Sequence, residues 1–213
     1  MRLRKNPKAR KALQEHPAVF ELAEIETQTW RTFFSRPNQP LYVELGTGKG
    51  QFITTAANRH PEINWIGIER VPEPLYQAIK KGLPEETQNL LYFWADIEYL
   101  EQFFKPGEVD RFYLHFTDPW PKKRHAKRRL THRRFLTIYK KLLSKDGTLI
   151  FKTDSRDYFH FSLDELTETD WHIHTTCEDL HNSPLAVDNI PTEYEMKFST
   201  KGLPIYFIQA SPR

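Results

Sequence analysis

Short apolar runs alternate with stretches of helical periodicity along most of this chain. That rhythm predicts an α/β fold with a mostly parallel central sheet and helices on both faces. Five runs read as strands: Leu41–Leu45, Trp65–Glu69, Leu90–Ala95, Val109–Thr117 and Thr148–Thr153. Between them, Gln51–Arg59, Pro74–Lys81 and Phe135–Leu143 read as helices. In the last of these, Phe135, Ile138, Tyr139, Leu142 and Leu143 fall on one face. Asp146-Gly147 is expected to close that helix and turn the chain into the next strand. Upstream, helical spacing over Ala9 to Phe34 predicts one long helix, ended by Arg36-Pro37-Asn38. Trp171–Thr176 and Ile205–Gln209 suggest two further strands. No repeat or Gly/Ser-rich linker divides the chain. It is expected to hold a basic tail and helix over residues 1–40 and a single catalytic-type domain over 41–213.

Composition narrows the class. A 213-residue chain with 38% hydrophobic and 28% charged residues suits one soluble α/β domain. No apolar run approaches the roughly 20 residues of a membrane span. The positive start MRLRKNPKARK has no apolar stretch behind it, so it does not read as a secretory signal. Cys177 is the only cysteine, which rules out an internal disulfide and a multi-cysteine metal site. The spacing of the histidines suggests no metal ligand set either. No membrane partner and a cytoplasmic location are expected by default, with a monomer or homodimer equally compatible.

Charge changes the picture more. The net charge of +3 hides two acid-free basic segments. Residues 1–11 carry six Lys and Arg, and residues 121–134 carry eight. Outside them, 17 Lys and Arg face 28 Asp and Glu. An acidic body with two basic patches points to a polyanionic partner; a solvated helix face plus a tail is the bland alternative.

Each of the five strands ends in, or is closely followed by, a carboxylate: Glu44, Glu69, Asp96, Asp118 and Asp154. In an open α/β sheet, ligands sit outside the carboxyl ends of the strands, so parallel strands would gather these acids along one edge. The first belongs to LYVELGTGKG, where Gly46, Gly48 and Gly50 follow Glu44. Such glycines let the chain turn tightly and let a ligand approach the backbone. A carboxylate beside the loop would repel a pyrophosphate but attract the ammonium and sulfonium charges of S-adenosylmethionine. The spacing also departs from G-x-G-x-x-G. Glu69 closes WIGIE, where an acid can accept hydrogen bonds from ribose hydroxyls. Asp96 could receive an adenine amino group, or simply cap the helix around Glu98. Together the three acids resemble the nucleoside pocket of a class I methyltransferase, which has a Rossmann-like fold.

The segment HFTDPWPKKRHAKRRLTHRR, residues 115–134, is more specific. Asp118-Pro119-Trp120-Pro121 joins a carboxylate to two stiffening prolines and a large aromatic, a loop rigid enough to grip a planar base. Its basic continuation starts at Lys122. The stretch resembles the D-P-W-P-K-K-R-H-x-K-R-R signature of the bacterial tRNA (guanine-N7)-methyltransferase family. FKTDSRDYF, with Asp154, and PTEYEMKFSTKGLPIYF, with Thr192, Tyr194, Glu195, Lys197 and Phe198, are similar to two further segments of that family. The similarity runs from about Glu44 to Phe207.

The resemblance implies an S-adenosylmethionine-dependent enzyme that methylates N7 of a guanine in tRNA, in the variable loop at tRNA position 46. It implies cofactor binding by Glu44, Gly46, Gly48, Glu69, Asp96 and Asp118, with Asp118 also catalytic. Guanine offers two adjacent donors on its Watson–Crick edge, which one carboxylate accepts together. Asp154 and Glu195 are the candidates for that clamp, with Thr192 and Tyr194 shaping the pocket and Lys122 contacting phosphate or base. Arg124, Lys127, Arg128 and Arg129 are expected to hold the tRNA backbone. Among the alternatives, amino-group methylation typically goes with D-P-P-[YF] rather than DPWP. A dinucleotide oxidoreductase is disfavoured by Glu44 and the glycine spacing, and a non-catalytic binding module would leave the five carboxylates idle.

Overall fold

The computed structural model describes residues 6–81 and 89–213, in two compact units, Met1–Lys105 and Pro106–Arg213. Arg2, Arg4 and Lys5 of the basic tail lie outside the described residues.

Unit 1 begins with α1 (Pro7–Gln14), which Asn6 caps by accepting from the Lys8 N–H and whose first position is a proline. Next come β1 (Val19–Glu21), α2 (Leu22–Glu26) and a 3₁₀ turn over Thr29–Phe33. The long helix expected over Ala9–Phe34 is therefore broken. Pro17 cannot donate a helical hydrogen bond, and the β-forming pair Val19-Phe20 behind it runs parallel to β4 instead. Then follow β2 (Leu41–Leu45), α3 (Gln51–Arg59), β3 (Asn64–Ile68), α4 (Pro72–Lys81), β4 (Leu90–Trp94) and α5 (Leu100–Phe103). The strands lie in the order β1-β4-β3-β2, all parallel, with Glu44 opposite Gly67 and Tyr92 opposite Val19. β3 is buried on both faces, as a strand in a parallel sheet must be. An aromatic cluster built on Trp30, Phe93, Phe103 and Phe104 fills the space beneath α2 and α5, with Trp30 and Phe93 centroids 5.4 Å apart.

Unit 2 holds β5 (Val109–His115), α6 (Arg133–Leu142), β6 (Leu143–Thr153), α7 (Arg156–Glu168), β7 (Trp171–Cys177), α8 (Glu193–Ser199) and β8 (Tyr206–Pro212). Its order is β5-β6-β8-β7; β5 and β6 run parallel, while β8 is antiparallel to both β6 and β7. The helix expected to run to Asp146-Gly147 stops at Leu142, and the chain is already extended from Leu143. A register shift in the β5–β6 pairing between Val109 and Arg111 absorbs the extra length. A side chain on Gly147 would press within 2.9 Å of the Ser144 carbonyl, so close packing, not a turn, explains this glycine. Arg133 ties the start of α6 to α7 through Glu165 and Glu168. None of the helices among the described residues is long and apolar enough to cross a membrane.

Candidate active site

Within unit 1 the parallel order β4-β3-β2 brings Glu44, Glu69 and Asp96 to one edge. Glu44 is 2% exposed, near the end of β2. Beyond it Gly46, Gly48 and Gly50 all take positive φ, 83°, 57° and 75°. The Gly46 and Thr47 N–H groups donate to the Ile68 carbonyl, folding the loop back over β3. Around Gly48 a Cβ would meet nothing within 4 Å, so a ligand can reach that backbone. At Gly50 the same atom would strike Ala78 at 2.6 Å, making this glycine a packing requirement between α3 and α4.

Glu69 links the two loops. One carboxylate oxygen accepts from the Gly48 N–H at 3.0 Å and the other from the Val71 N–H at 2.8 Å. Each oxygen keeps a second lone pair. Burial raises the Glu69 carboxyl above its ordinary range, against the opposing pull of the Val71 and Gly48 N–H groups and of Arg70. One oxygen of Asp96 caps the turn over Ile97–Tyr99 by accepting from the Glu98 N–H, and the other faces Arg70 at 3.4 Å. The dull reading of Asp96 is thus realised by one of its two oxygens.

Unit 2 gathers Asp118 and Asp154 behind the parallel pair β5 and β6. The strand expected over Val109–Thr117 ends at His115, because Phe116 takes φ 51° and turns the chain out. Trp120 takes φ 42°. Left-handed conformations at non-glycine residues cost about 1–3 kcal/mol each and persist only when the surroundings enforce them. Here Arg129 does so. Its Nε donates to the Pro119 carbonyl at 2.8 Å and its Nη2 to the Trp120 carbonyl at 3.2 Å. Arg129 is 8% exposed, with its guanidinium 4.3 Å from the Phe161 ring centroid. The expectation that it grips RNA is corrected accordingly: this cation is turned inward. Asp118, Lys122, Arg124, Lys127 and Arg128 are exposed, and Arg128 lies over the Trp120 ring at 4.8 Å.

Glu195 also departs from expectation. It is 0% exposed, and both its oxygens are occupied. One lies 3.1 Å from Lys152 Nζ and accepts from the Thr192 N–H; the other accepts from Asn189 Nδ2 and sits 3.1 Å from His181. Lys152, 3% exposed, also donates to Asn189 Oδ1 and the Ile190 carbonyl. A buried carboxylate so engaged cannot also clamp a guanine edge, so Glu195 is a counter-ion and helix cap. Burial and then the Lys152 ammonium push His115 well below its ordinary range. The Thr192 hydroxyl caps α8 by accepting from the Glu195 N–H. Tyr194 is exposed, stacks on Phe198 and directs its hydroxyl to Asp154 at 3.4 Å. Asp154 and Tyr194 thus sit together, and Glu195 faces away into the unit.

Three residues that sequence reasoning did not single out, Lys152, Tyr158 and Phe161, support the candidate residues within unit 2. Lys152 had a signal, a lone cation inside the apolar run TLIFKT. Among the described residues no cluster of three or more His, Cys, Asp or Glu could hold a metal ion.

Known proteins share this fold. A solved 16S rRNA methyltransferase matches 91% of the chain at TM-score 0.63 and 12% identity, covering 95% of its own length. An antibiotic-related methyltransferase matches 89% at TM-score 0.60 and 20% identity, covering 90% of its own length. The fold is that of an α/β methyltransferase. The family model described as "Putative methyltransferase" matches residues 38–208. A tRNA (guanine-N(7)-)-methyltransferase of Lachnoclostridium phytofermentans is 45% identical over 99% of this chain and 98% of its own, and one of Listeria innocua is 46% identical over the same shares. The chain belongs to the tRNA (guanine-N7)-methyltransferase family.

Proposed function

We propose that this enzyme transfers a methyl group from S-adenosylmethionine to N7 of a guanine in tRNA, the variable-loop guanine at tRNA position 46. The observation that carries this reading is the Asp118 loop, fixed in a strained shape and running directly into exposed cations. Full-length identity of about 45% to enzymes of that name supports it.

The residues of unit 1 suit the cofactor. Its carboxylates and open glycine backbone favour a cationic nucleoside over a phosphate, and Glu69 retains lone pairs for ribose hydroxyls. Glu44, Gly46, Gly48, Glu69 and Asp96 would hold it. When bound, the cofactor supplies an activated methyl group on a sulfonium.

The rest falls to the chain. Guanine N7 presents its lone pair on the major-groove edge of the neutral base, so no proton need be removed. Position and electrostatics therefore dominate over general-base chemistry. The base gains positive charge as it is methylated, and the Asp118 carboxylate stabilises that charge. Asp154, with Tyr194 at its side, accepts the paired donors of the guanine edge; Thr192 shapes the pocket by starting α8. Lys122 contacts phosphate or base, and Arg124, Lys127 and Arg128 hold the backbone.

Incubating unmodified tRNA with labelled S-adenosylmethionine, then digesting and weighing the nucleosides, tests the reading. N7-methylguanosine at one site per tRNA is the expected product; a methylated amino group, or no label in tRNA, overturns it. Asp118→Ala should abolish turnover while tRNA affinity stays within a few-fold. Asp118→Asn, which keeps shape without charge, should fail as well if charge is what Asp118 supplies.

A further inference from the structure

The eight cations between Lys122 and Arg134 do not share one task. Arg133 is paired with acids of α7, the cations from Lys122 to Arg128 are exposed, and Arg129 alone is buried. Its planar fork reaches two successive carbonyls, Pro119 at 2.8 Å and Trp120 at 3.2 Å. One face lies against Phe161 and, at 5.6 Å, the Tyr158 ring, both on α7. The Tyr158 hydroxyl lies 3.2 Å from Thr117 Oγ1 and accepts from the Leu130 N–H at 3.0 Å. The chain is thus tied at Thr117, Pro119 and Trp120 to one support on α7, and Asp118 lies between the tied points. Left-handed Phe116 and Trp120 flank the same stretch, a shape that a freed loop would abandon.

We propose that Arg129 is a positioning residue for Asp118 rather than a tRNA contact. It acts by holding the Pro119 and Trp120 carbonyls, which fixes the direction in which the intervening backbone presents the carboxylate. The task requires an arginine. A planar guanidinium sends parallel donors to two successive carbonyls from a fixed fork while stacking on aromatic rings; an ammonium of the same charge has three rotatable donors but neither the fork nor the flat face. A role in gripping phosphate would make lysine a fair substitute, because the charge alone sets counterion release. The two roles therefore separate at Arg129→Lys.

This inference rests on the catalytic reading of Asp118, so the experiment carries Asp118→Ala as a reference. The full chain is assayed for single-turnover methyl transfer at saturating tRNA and cofactor, and for tRNA affinity at two salt concentrations. Arg129→Lys and Arg129→Ala should each slow transfer by about 10- to 100-fold, the scale on which an ångström of misplacement acts. The tRNA dissociation constant should stay within about twofold, its salt slope unchanged, and cofactor affinity intact by calorimetry. If Arg129→Ala melts below the assay temperature, Arg129→Lys decides by the same criteria. Transfer within about threefold of wild type in the lysine variant overturns the inference. So does a salt slope flattened by the ~0.7–0.9 units of one lost phosphate contact. Should Asp118→Ala turn over normally, the catalytic reading fails on its own account, whatever the arginine variants do.

Discussion

At the scale of single residues, the site turns on which charges face outward. Glu195 and Lys152 are both sealed within unit 2, where removing one partner strands the other. Glu195→Ala should cost about 3–5 kcal/mol of stability by chemical denaturation, the usual penalty for a buried charge left alone. Replacing Lys152 and Glu195 together by apolar residues of similar volume should cost far less. Equal losses for the single and double variants would contradict the pairing. Glu69 is perturbed differently. Its folded-state value lies above the unfolded one, so the proton favours the folded chain. That contribution is full below the ordinary 4.5 and is lost as pH rises through the folded-state value. Cofactor affinity should run the opposite way, because ribose hydroxyls donate to the ionised carboxylate. Affinity should weaken on acidification from a pH above 4.5, and Glu69→Gln should remove that dependence; calorimetry across pH checks both. Glu69→Ala should weaken binding by about 1–3 kcal/mol through the loss of a charged acceptor.

At the scale of elements, β2, β3, β4 and β7 were legible within one residue of their ends, since each is an apolar or alternating run with polar or proline punctuation. The amino-terminal segment was not. Ala9, Leu13, Val19 and Phe20 are all buried apolar residues, and spacing alone cannot show that Pro17 divides a helix from a strand whose partner lies seventy-three residues on. The carboxylates at the strand ends could be read from the chain because parallel order follows from the alternation of elements. The inward turn of Arg129 could not, because a cation among cations carries no local mark of its direction; Phe161 and the loop carbonyls decide it. Glu195 was misread for a like reason, as its partner Lys152 sits forty-three positions earlier. For the basic segment a quantitative expectation follows. The exposed Arg124 and Lys127 should each contribute up to ~0.7–0.9 to the slope of log affinity against log salt, so removing both should flatten it by up to about 1.5 units. An unchanged slope would mean that they are merely solvated.

At the scale of the whole molecule, the segregation of charge predicts that tRNA association slows steeply as ionic strength rises, while affinity for the cofactor, a small ligand proposed to bind at the carboxylates of unit 1, changes little. Stopped-flow association beside cofactor titration at two salt concentrations separates the two. One consequence of the topology concerns the order in which the nascent chain can take shape. Among the described residues β1 pairs with β4 alone, Val19 with Tyr92, so the first-made strand of unit 1 has no template until about residue 94 has left the ribosome. Until then its apolar Val19 and Phe20 have local neighbours such as the Phe33 ring, 4.9 Å from Phe20, but no strand beside them, and once β4 arrives they close an otherwise open row of backbone donors and acceptors. A chain lacking residues 1–21 would leave that row bare on β4, inviting a second molecule to dock there strand against strand, so that the shortened enzyme should self-associate.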